Sequence, residues 1–369
     1  MNDSWPNDPA QLWPDYRPTG LLDLPALAHR CGVRRVVAKA ENERPLGNFK
    51  VLGGMTAGLR ALSRITGARS LEQLQRACER SATPLRLLCA SDGNHGLAVA
   101  AAAQRAGAAA RVYLPDAVSP ARAARIRALG GEVVGIAGSY DAAVLAAQAA
   151  AARGDGTLIA DTSADPTDSV VADVLAGYGL IARELRAQWR ERTYEQPSHV
   201  FVQAGVGGLA AAMAEGLRAQ LRSPARMIAV EPERAACVAS ALAQGRPVQI
   251  EGDLHTHAEM LSCGLASASA LALLLWHRVS AMTVDEAQLH AAPAALRDGG
   301  GPASSPSGAA GLAGLLRAAG DPHLRAEYDL DADSTVVLLI TEAALDAASM
   351  TEHPSAHDAI GATVAKQTA

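Results

Sequence analysis

The sequence predicts an α/β fold in which helices cover a parallel sheet. Short apolar runs alternate along the chain with longer segments of helical character, and the loops between them are short. This alternation is typical of strand–helix–strand units, whose strands run parallel. The chain has 369 residues, which exceeds the size at which one hydrophobic core stops growing. Two domains are therefore expected.

Compact apolar runs bounded by turn residues are assigned to strands. A strand buried under helices on both faces reads as a continuous apolar run, as residues 85–90 do. Residues 1 to about 25 are expected to form a loose arm. In chain order, the predicted strands cover residues 33–39, 85–90, 110–114, 132–136, 199–203, 227–231 and 334–341.

Alanine-rich segments and segments with helical spacing of apolar residues are assigned to helices. Glycines mark where helices end, as Gly130 and Gly131 do after residue 129. Residues 246–264 are expected to be irregular, and 347–369 to be a mobile tail. The predicted helices cover residues 50–65, 70–82, a segment from the turn at 91–96 to 106, 120–129, 140–153, 172–188, 209–220, 235–243, 267–277, 284–297 and about 308–319.

Composition and charge exclude several classes of function. The net charge is -5 and no basic block occurs, so neither a nucleic acid nor an anionic membrane surface is an expected partner. No apolar run approaches the ~18 residues of a membrane span, and the polar N-terminus shows no secretory signal. The five cysteines are scattered without a CxxC pair, which indicates a reduced, cytoplasmic protein. Asp253, His255 and His257 are interpreted as a solvated loop, so no metal site is predicted.

Lysine is scarce enough for each one to be informative. The sequence contains Lys39, Lys50 and Lys366 beside thirty arginines. Lys50 follows a polar loop at a predicted helix start, where the helix dipole disfavours protonation of the amine. A neutral amine beside a phosphate-bearing aldehyde can form a Schiff base, which arginine cannot do. The alternative is a solvated surface lysine.

The segment Ser-Asp-Gly-Asn-His-Gly at 91–96 lies between a predicted strand and a helix. Its backbone amides can point at an anion such as a carboxylate, and Asn94 adds a side-chain amide. The alternative is an ordinary turn in which Ser91 or Asp92 caps the helix. His95 on its own is more typical of packing at a helix start than of catalysis.

The glycine-rich segment at 204–212 follows the strand 199–203 and opens a helix. Glycines let backbone amides approach a phosphate at a helix N-terminus. Gly205, Gly207 and Ala210 also match a dinucleotide-binding fingerprint, with Glu231 placed as the ribose-binding acid. A third possibility is close helix–strand packing alone. Thr341 ends the last strand, where ligands of open sheets bind.

Taken in this order, these motifs resemble the fold-type II pyridoxal-phosphate enzymes, such as the tryptophan synthase β-subunit, threonine dehydratase and cysteine synthase. Within that group, the chain looks most like the diaminopropionate ammonia-lyases. The resemblance covers most of residues 12–346. It is carried by YRPTG at 16–20, GNFKVLGG at 47–54, SDGNHGLAVAAAAQRAGAAARVYLP at 91–115, ADT at 160–162, GYGLIARE at 177–184, HVFVQAGVGGLAAA at 199–212, VEPERAAC at 230–237 and TEAALD at 341–346.

The resemblance implies two open, mostly parallel sheets flanked by helices. It implies a large cofactor-binding domain from 1–53 and 165–346, and a smaller domain from 54–164. It also implies pyridoxal 5'-phosphate as the cofactor, an amino acid as the substrate and a homodimer.

Residue roles carry over only at positions that match the family motifs. Lys50 would hold the cofactor covalently, Asn94 would hydrogen-bond its ring oxygen, and Thr341 would face its pyridine nitrogen and leave that nitrogen largely unprotonated. Asp92 would be a second acid or base. The phosphate would be cradled by Gly205, Val206, Gly207, Gly208 and Leu209, and the substrate would bind at Ser91, Asp92, Gly93 and His95.

The sequence departs from the family pattern around the expected substrate pocket. Alanine at 343 stands where the family usually has glycine. No acid occurs in the loop 304–308, Leu265 and Ala266 replace the usual glutamate, and the aromatic element after ADT is replaced at 163–166. These losses affect the substrate pocket, so the cofactor and the reaction class are the safer inferences.

The sequence therefore predicts a lyase that eliminates the β-substituent of an amino acid, with 2,3-diaminopropionate converted to pyruvate and ammonia. A close alternative is a dehydratase of serine or threonine. Two further alternatives are a nicotinamide-dependent oxidoreductase and a non-catalytic amino-acid-binding relative.

Overall fold

The fold contains two separate sheets flanked by helices. The computed structural model describes residues 5–13, 16–192 and 194–344, and the predicted tail at 347–369 lies outside them. Strands are numbered in chain order: β1 Leu21–Asp23, β2 Arg35–Lys39, β3 Arg86–Ala90, β4 Ala109–Pro115, β5 Glu132–Ile136, β6 Thr157–Leu158, β7 His199–Gln203, β8 Arg226–Pro232, β9 Ser280–Val284 and β10 Thr335–Leu339.

The larger sheet has six strands in the order β1-β2-β10-β7-β8-β9. β1 pairs antiparallel with β2, and the other pairs are parallel. The smaller sheet has four parallel strands in the order β5-β4-β3-β6. The prediction of two mostly parallel sheets is confirmed. The strands of the smaller sheet all come from within 54–164, while the domain boundaries stay a prediction.

Thirteen helices are present in the described part of the chain. Most carry one buried face against a sheet, as expected for helices that cover parallel strands. They are α1 Pro25–Cys31, α2 Lys50–Thr66, α3 Leu71–Arg80, α4 Asn94–Ala106, α5 Pro120–Ala128, α6 Tyr140–Ala152, α7 Ser169–Glu191, α8 Gly208–Leu217, α9 Cys237–Gln244, α10 Ala268–Trp276, α11 Glu286–Asp298, α12 Pro306–Gly320 and α13 Pro322–Glu327.

Helix α2 is wedged between α4 and α7. Its glycines allow this, because a Cβ atom at Gly54 would lie 2.6 Å from the Cβ of Ala98 on α4, and one at Gly53 would lie 2.5 Å from the ring of Tyr178 on α7. Any larger residue would push the helices apart. The first residue of α2 is Lys50, so this packing fixes where that lysine enters the site.

The prediction of a loose N-terminal arm is wrong for the described residues. Leu12 is fully buried, and β1 adds a strand to the edge of the larger sheet. Ion pairing also holds the segment, because Asp8 lies 2.9 Å from the Arg183 guanidinium. The arm therefore packs on the large sheet and α7. A polar, proline-rich sequence carries no signal for such tertiary contacts.

Strand β9 was not anticipated between the helices at 267–277 and 284–297. Its residues are Ser-Ala-Met-Thr-Val, which is too short and too mixed in character to stand out. It pairs in parallel with β8, and this pairing decides its conformation. No helix within the described ranges is long and apolar enough to cross a membrane.

Candidate active site

One cavity lies where the carboxyl ends of the two sheets face each other. Eleven of the twelve predicted site residues line it, and they come from elements far apart in sequence. They are Lys50, Ser91, Asp92, Asn94, His95, Gly205, Val206, Gly207, Gly208, Leu209 and Thr341.

Gly93 is the predicted site residue that does not line the cavity. Its φ is 135°, a conformation that side-chain-bearing residues rarely adopt. A Cβ atom there would lie 2.9 Å from Cδ of Arg122. Gly93 therefore allows the turn its backbone conformation and its close packing against Arg122, while Ser91 and Asp92 reach the cavity.

The Lys50 amine is held by a carboxylate. Its Nζ lies 2.7 Å from Oδ2 of Asp161, and the hydroxyl of Tyr140 donates to the other oxygen of Asp161 at 2.9 Å. The Lys50 side chain keeps 23% of its surface exposed, whereas Asp161 keeps 5%. The Lys50 amine thus reaches the cavity, and the Asp161 carboxylate in the cavity wall balances its charge.

This ion pair reverses the protonation expected for Lys50. Burial lowers the pKa of Lys50, as the helix end was expected to do, yet the Asp161 carboxylate outweighs burial and raises that pKa above its usual range. Burial likewise raises the pKa of Asp161, but the Lys50 ammonium holds it below the usual range. Without cofactor, the pair is therefore ionised.

Asp92 is in a different electrostatic state. Burial raises its pKa to about 7, although the Lys50 ammonium opposes this. Near neutral pH this carboxyl is therefore divided between its protonated and ionised forms, which is the condition that suits a general acid or base.

The Asn94 amide is oriented by a buried carboxylate. Its Nδ2 donates to Oε2 of Glu342, and Ser305 donates to the other oxygen of Glu342. Because a carboxylate only accepts, the Asn94 nitrogen must face Glu342. The amide has a second N–H, which remains available to a ligand in the cavity.

Strand β7 leads into the glycine segment and α8. Gly207 has φ 95°, and a Cβ atom there would lie 3.2 Å from Val238 and 3.3 Å from Leu274. At Gly205 a Cβ atom would lie 3.1 Å from Sγ of Cys263. The backbone of the glycines thus lines the cavity, next to the first amides of α8, which have no partner within the helix.

Lys39 does not compete with Lys50 for this site. It is fully buried, lies 2.6 Å from Glu184 and donates to the carbonyl of Thr19. Arg44 joins the same cluster through Glu41 and Glu184. Lys39 therefore belongs to a buried ion cluster next to the loop that precedes Lys50. It is not among the residues that line the cavity. Lys366 lies outside the described residues.

Glu231 is not free to bind a ribose. Its two carboxylate oxygens accept the backbone amides of Val238 and Ala239 at 2.7 Å, and the side chain is fully buried. Burial raises its pKa to about 8, against the effect of those amides. The nicotinamide-dependent alternative therefore has no free carboxylate at this position to bind a ribose. Within the described ranges, no cluster of three or more histidine, cysteine or acidic residues is arranged to hold a metal ion.

Comparison with known proteins decides the family. Residues 12–342 match the family described as pyridoxal-phosphate dependent enzymes. The chain belongs to this family. As a pyridoxal-phosphate dependent enzyme, it has the fold-type II architecture of two mostly parallel sheets.

The relatives of this pyridoxal-phosphate enzyme include ammonia-lyases. It is 33% identical to the diaminopropionate ammonia-lyase of Escherichia coli over 256 residues, which cover 68% of this chain and 63% of that relative. The enzyme of the same name from Salmonella typhimurium is 29% identical over 89% of this chain and 86% of its own length.

Two solved structures show the same likeness. Diaminopropionate ammonia lyase from Escherichia coli in complex with D-serine superposes with a TM-score of 0.81 at 27% identity, covering 92% of this chain and 88% of that one. The T.th. threonine deaminase superposes with a TM-score of 0.70 at 28% identity, covering 89% of this chain and 94% of that one.

The residues of the cavity fit pyridoxal phosphate, the cofactor of this family. The glycine segment lines the cavity beside the first amides of α8, and a Cβ atom at Gly205 would meet Cys263 of the cavity lining, which suits a phosphate. Lys50 would supply the amine for covalent attachment, and the second N–H of Asn94 would suit the ring oxygen. Thr341 also lines the cavity and would offer a neutral hydroxyl to the ring nitrogen.

Sequence reasoning missed several residues that the fold brings to the site. Asp161 belongs to the ADT segment, which was used only for the resemblance, and the two-residue strand β6 before it gave no signal. The altered loops also reach the cavity, through Met260, Cys263 and Ser307. Lining residues that were not predicted include Phe49, Tyr140, Asp161, Tyr178, Gln203 and Glu342.

Replacing Gly207 should weaken cofactor binding in two separable ways. Gly207→Ala adds a Cβ atom at a strained φ, directed at Val238 and Leu274, and Gly207→Asp adds the same atom plus a negative charge within the segment that would cradle the phosphate. We expect the aspartate variant to bind pyridoxal phosphate roughly tenfold or more weakly than the alanine variant, because like charges repel in a partly desolvated site. Fluorescence titration of cofactor into each apoprotein measures this. Equal affinities for the two variants would show that no anion binds here.

Proposed function

We propose that this protein is a pyridoxal-phosphate dependent lyase that converts 2,3-diaminopropionate to pyruvate and ammonia by α,β-elimination. The charge of the cavity carries the choice of substrate. Asp92, Asp161 and Glu342 line the cavity, and among its described lining residues Lys50 is the one lysine or arginine. With Lys50 engaged by the cofactor, a second ammonium group on the substrate compensates these carboxylates, whereas a hydroxyl does not.

The proposed chemistry assigns proton transfers to two residues. When bound, pyridoxal phosphate withdraws electrons from the substrate Cα and makes its hydrogen acidic. The Lys50 amine, freed when the substrate takes its place, accepts this proton from an L-substrate. Asp92 accepts it from the opposite face for a D-substrate. Asp161 holds the resulting Lys50 ammonium, as it does in the present structure.

Asp92 is also placed to assist the leaving group. With its pKa raised to about 7 by burial, it can share one proton with the β-nitrogen, so that this group departs as neutral ammonia. The released 2-aminoacrylate then hydrolyses to pyruvate and ammonia. Each turnover of 2,3-diaminopropionate thus yields one pyruvate and two ammonia.

A dehydratase of serine or threonine is the second candidate. The superposition with the T.th. threonine deaminase favours it, because the two chains share most of their fold. A β-hydroxyl, however, brings no positive charge to Asp92. The like charges of Asp92 and the substrate carboxylate would then cost roughly a few kcal/mol before screening.

The Asp92→Asn variant tests this proposal. We expect it to lose activity toward 2,3-diaminopropionate at least tenfold more than toward serine or threonine, and to lose activity toward the D-isomer most, because the amide can neither pair with the β-ammonium nor accept a proton. Pyruvate release from both stereoisomers and from serine and threonine measures kcat/KM for each protein.

Asp141→Asn is the matched control for this experiment. Asp141 lies near Asp92 but accepts from Gln249 at 3.0 Å and does not line the cavity. The Asp141→Asn substitution removes one nearby carboxylate that does not contact the substrate. It should therefore leave the ratio of activity toward 2,3-diaminopropionate to activity toward serine or threonine unchanged. Equal losses on all substrates in Asp92→Asn would show that Asp92 only shapes its loop.

Assembly and location form the remaining part of the proposal. We propose a homodimer, supported by the exposed apolar end of α10, where Trp276 is 80% and Leu275 41% exposed. We propose a cytoplasmic location, supported by the five cysteines, which are all free and buried. Light scattering of the purified protein measures the mass of the assembly.

A further inference from the structure

Gln203 is a buried amide in the wall of the cavity. It ends strand β7 and keeps only 3% of its surface exposed. Its Nε2 contacts three acceptors, namely the carbonyl of Gly308 at 2.8 Å, the carbonyl of Leu339 at 3.1 Å and Oγ1 of Thr341 at 2.8 Å. The side chain therefore links α12, β10 and Thr341, the second residue after β10.

The orientation of this amide is fixed by its surroundings. Two of the three acceptors are backbone carbonyls, which cannot donate, so a flipped amide would place its oxygen against them. The Oε1 atom instead faces Gly311 of α12, where a Cβ atom would lie 3.0 Å away, and it has no partner in the described residues. The nitrogen of Gln203 consequently always faces Thr341.

This orientation determines what the Thr341 hydroxyl can do. A hydroxyl has one hydrogen to donate and lone pairs to accept with. Because Thr341 already accepts from Gln203, its hydrogen is free to point elsewhere, and no hydrogen bond in the described part of the chain uses it. Thr341 lines the cavity, so its hydrogen is available to a ligand there.

We propose that Gln203 is a positioning residue that makes Thr341 a hydrogen-bond donor toward the cavity and thereby keeps the ring nitrogen of bound pyridoxal phosphate unprotonated. The proposal rests on the proposed function and on the role that the family resemblance implies for Thr341, which is to face that nitrogen. A donor hydroxyl needs an acceptor, and a pyridine nitrogen accepts only through the lone pair that protonation removes. An unprotonated ring withdraws electrons less strongly, so Gln203 sets how acidic the substrate becomes.

The ring nitrogen itself reports on this proposal. Wild-type protein and Gln203→Met are loaded with pyridoxal phosphate labelled with ¹⁵N in the ring, and the ¹⁵N resonance is recorded. Methionine is similar in length but offers no donor. We expect a pyridine-like resonance in the wild type and a shift toward pyridinium in the variant. We also expect the cofactor dissociation constant to rise roughly threefold to tenfold, as for one lost hydrogen bond.

A double-mutant cycle separates positioning from a merely structural role. Thr341→Val removes the hydroxyl, so adding Gln203→Met to it should change the cofactor dissociation constant no further. Should Gln203→Met fail to fold, Gln203→Glu replaces it. Its carboxylate would accept from Thr341 and reverse the hydroxyl, so the pyridinium signal should grow as that carboxylate ionises with rising pH.

The outcomes distinguish this inference from the proposed function. A pyridinium-like resonance in the wild type, an unchanged resonance in the variant, or additive effects in the cycle would each overturn the role of Gln203 while leaving the lyase in place. A wild-type protein that binds no pyridoxal phosphate would overturn the proposed function and this inference together.

Discussion

Lys50→Ala is expected to abolish both turnover and covalent attachment of the cofactor. Among the described residues, Lys50 is the lysine that lines the cavity. In the proposed function it supplies both the amine that binds the cofactor and the base for an L-substrate. Loss of a positioned base alone typically costs about 10²–10⁴-fold in rate. Borohydride reduction of the wild type followed by peptide mapping should label Lys50, and the variant should show no labelled lysine.

Lys50→Arg is the matched control for the alanine variant. It keeps the positive charge beside Asp161, so the fold and the ion pair are retained, but a guanidinium does not lose its proton to attach the cofactor. We expect it to be as inactive as Lys50→Ala while unfolding at a higher temperature. A reducible link to Lys39 in either variant would transfer the catalytic role to that lysine.

Asp161→Asn should produce the second-largest effect. It leaves the Lys50 ammonium without its carboxylate partner, and breaking a buried pair costs about 3–5 kcal/mol, less here because Lys50 is 23% exposed. We therefore expect the apoprotein to lose about 2 kcal/mol of stability. Turnover should fall roughly 10²-fold, because the amine is no longer held toward the cavity. Thermal unfolding and kcat/KM measure the two effects.

Tyr140→Phe provides the control for Asp161. It removes only the hydrogen bond from the phenol to Asp161 and leaves the ion pair with Lys50 in place. Its losses of stability and turnover should both be smaller than those of Asp161→Asn. If the two variants behaved alike, the hydrogen bond, and not the charge of Asp161, would be what matters.

Much of the fold follows from local sequence signals. The strands at 132–136 and 199–203 were predicted to the residue, because short apolar runs between turn residues have few other interpretations. The prediction of a loose N-terminal arm was wrong, and strand β9 was missed. Both depend on pairing with strands distant in sequence, which no local pattern reports.

The site residues likewise fall into those that local motifs predicted and those whose role depends on tertiary contacts. Lys50 was predicted from the scarcity of lysine and from its place at a helix start. Segments between a strand and a helix predicted Asn94 and the glycine segment. Asp161 and Glu342 were missed, since their importance depends on which side chains they meet across the cavity. The prediction that Lys50 is neutral was wrong for the cofactor-free chain for the same reason. The effect of the helix end can be inferred from the local sequence, whereas the Asp161 carboxylate belongs to a segment distant in sequence.

The stoichiometry of products from 2,3-diaminopropionate is the direct test of the proposed lyase activity. Purified protein with pyridoxal phosphate is incubated with this substrate, and pyruvate and ammonia are quantified together over time. We expect two ammonia for each pyruvate, with little or no turnover of serine and threonine. Pyruvate formed only from serine, or 2-oxobutanoate formed from threonine, with 2,3-diaminopropionate left intact, would contradict it.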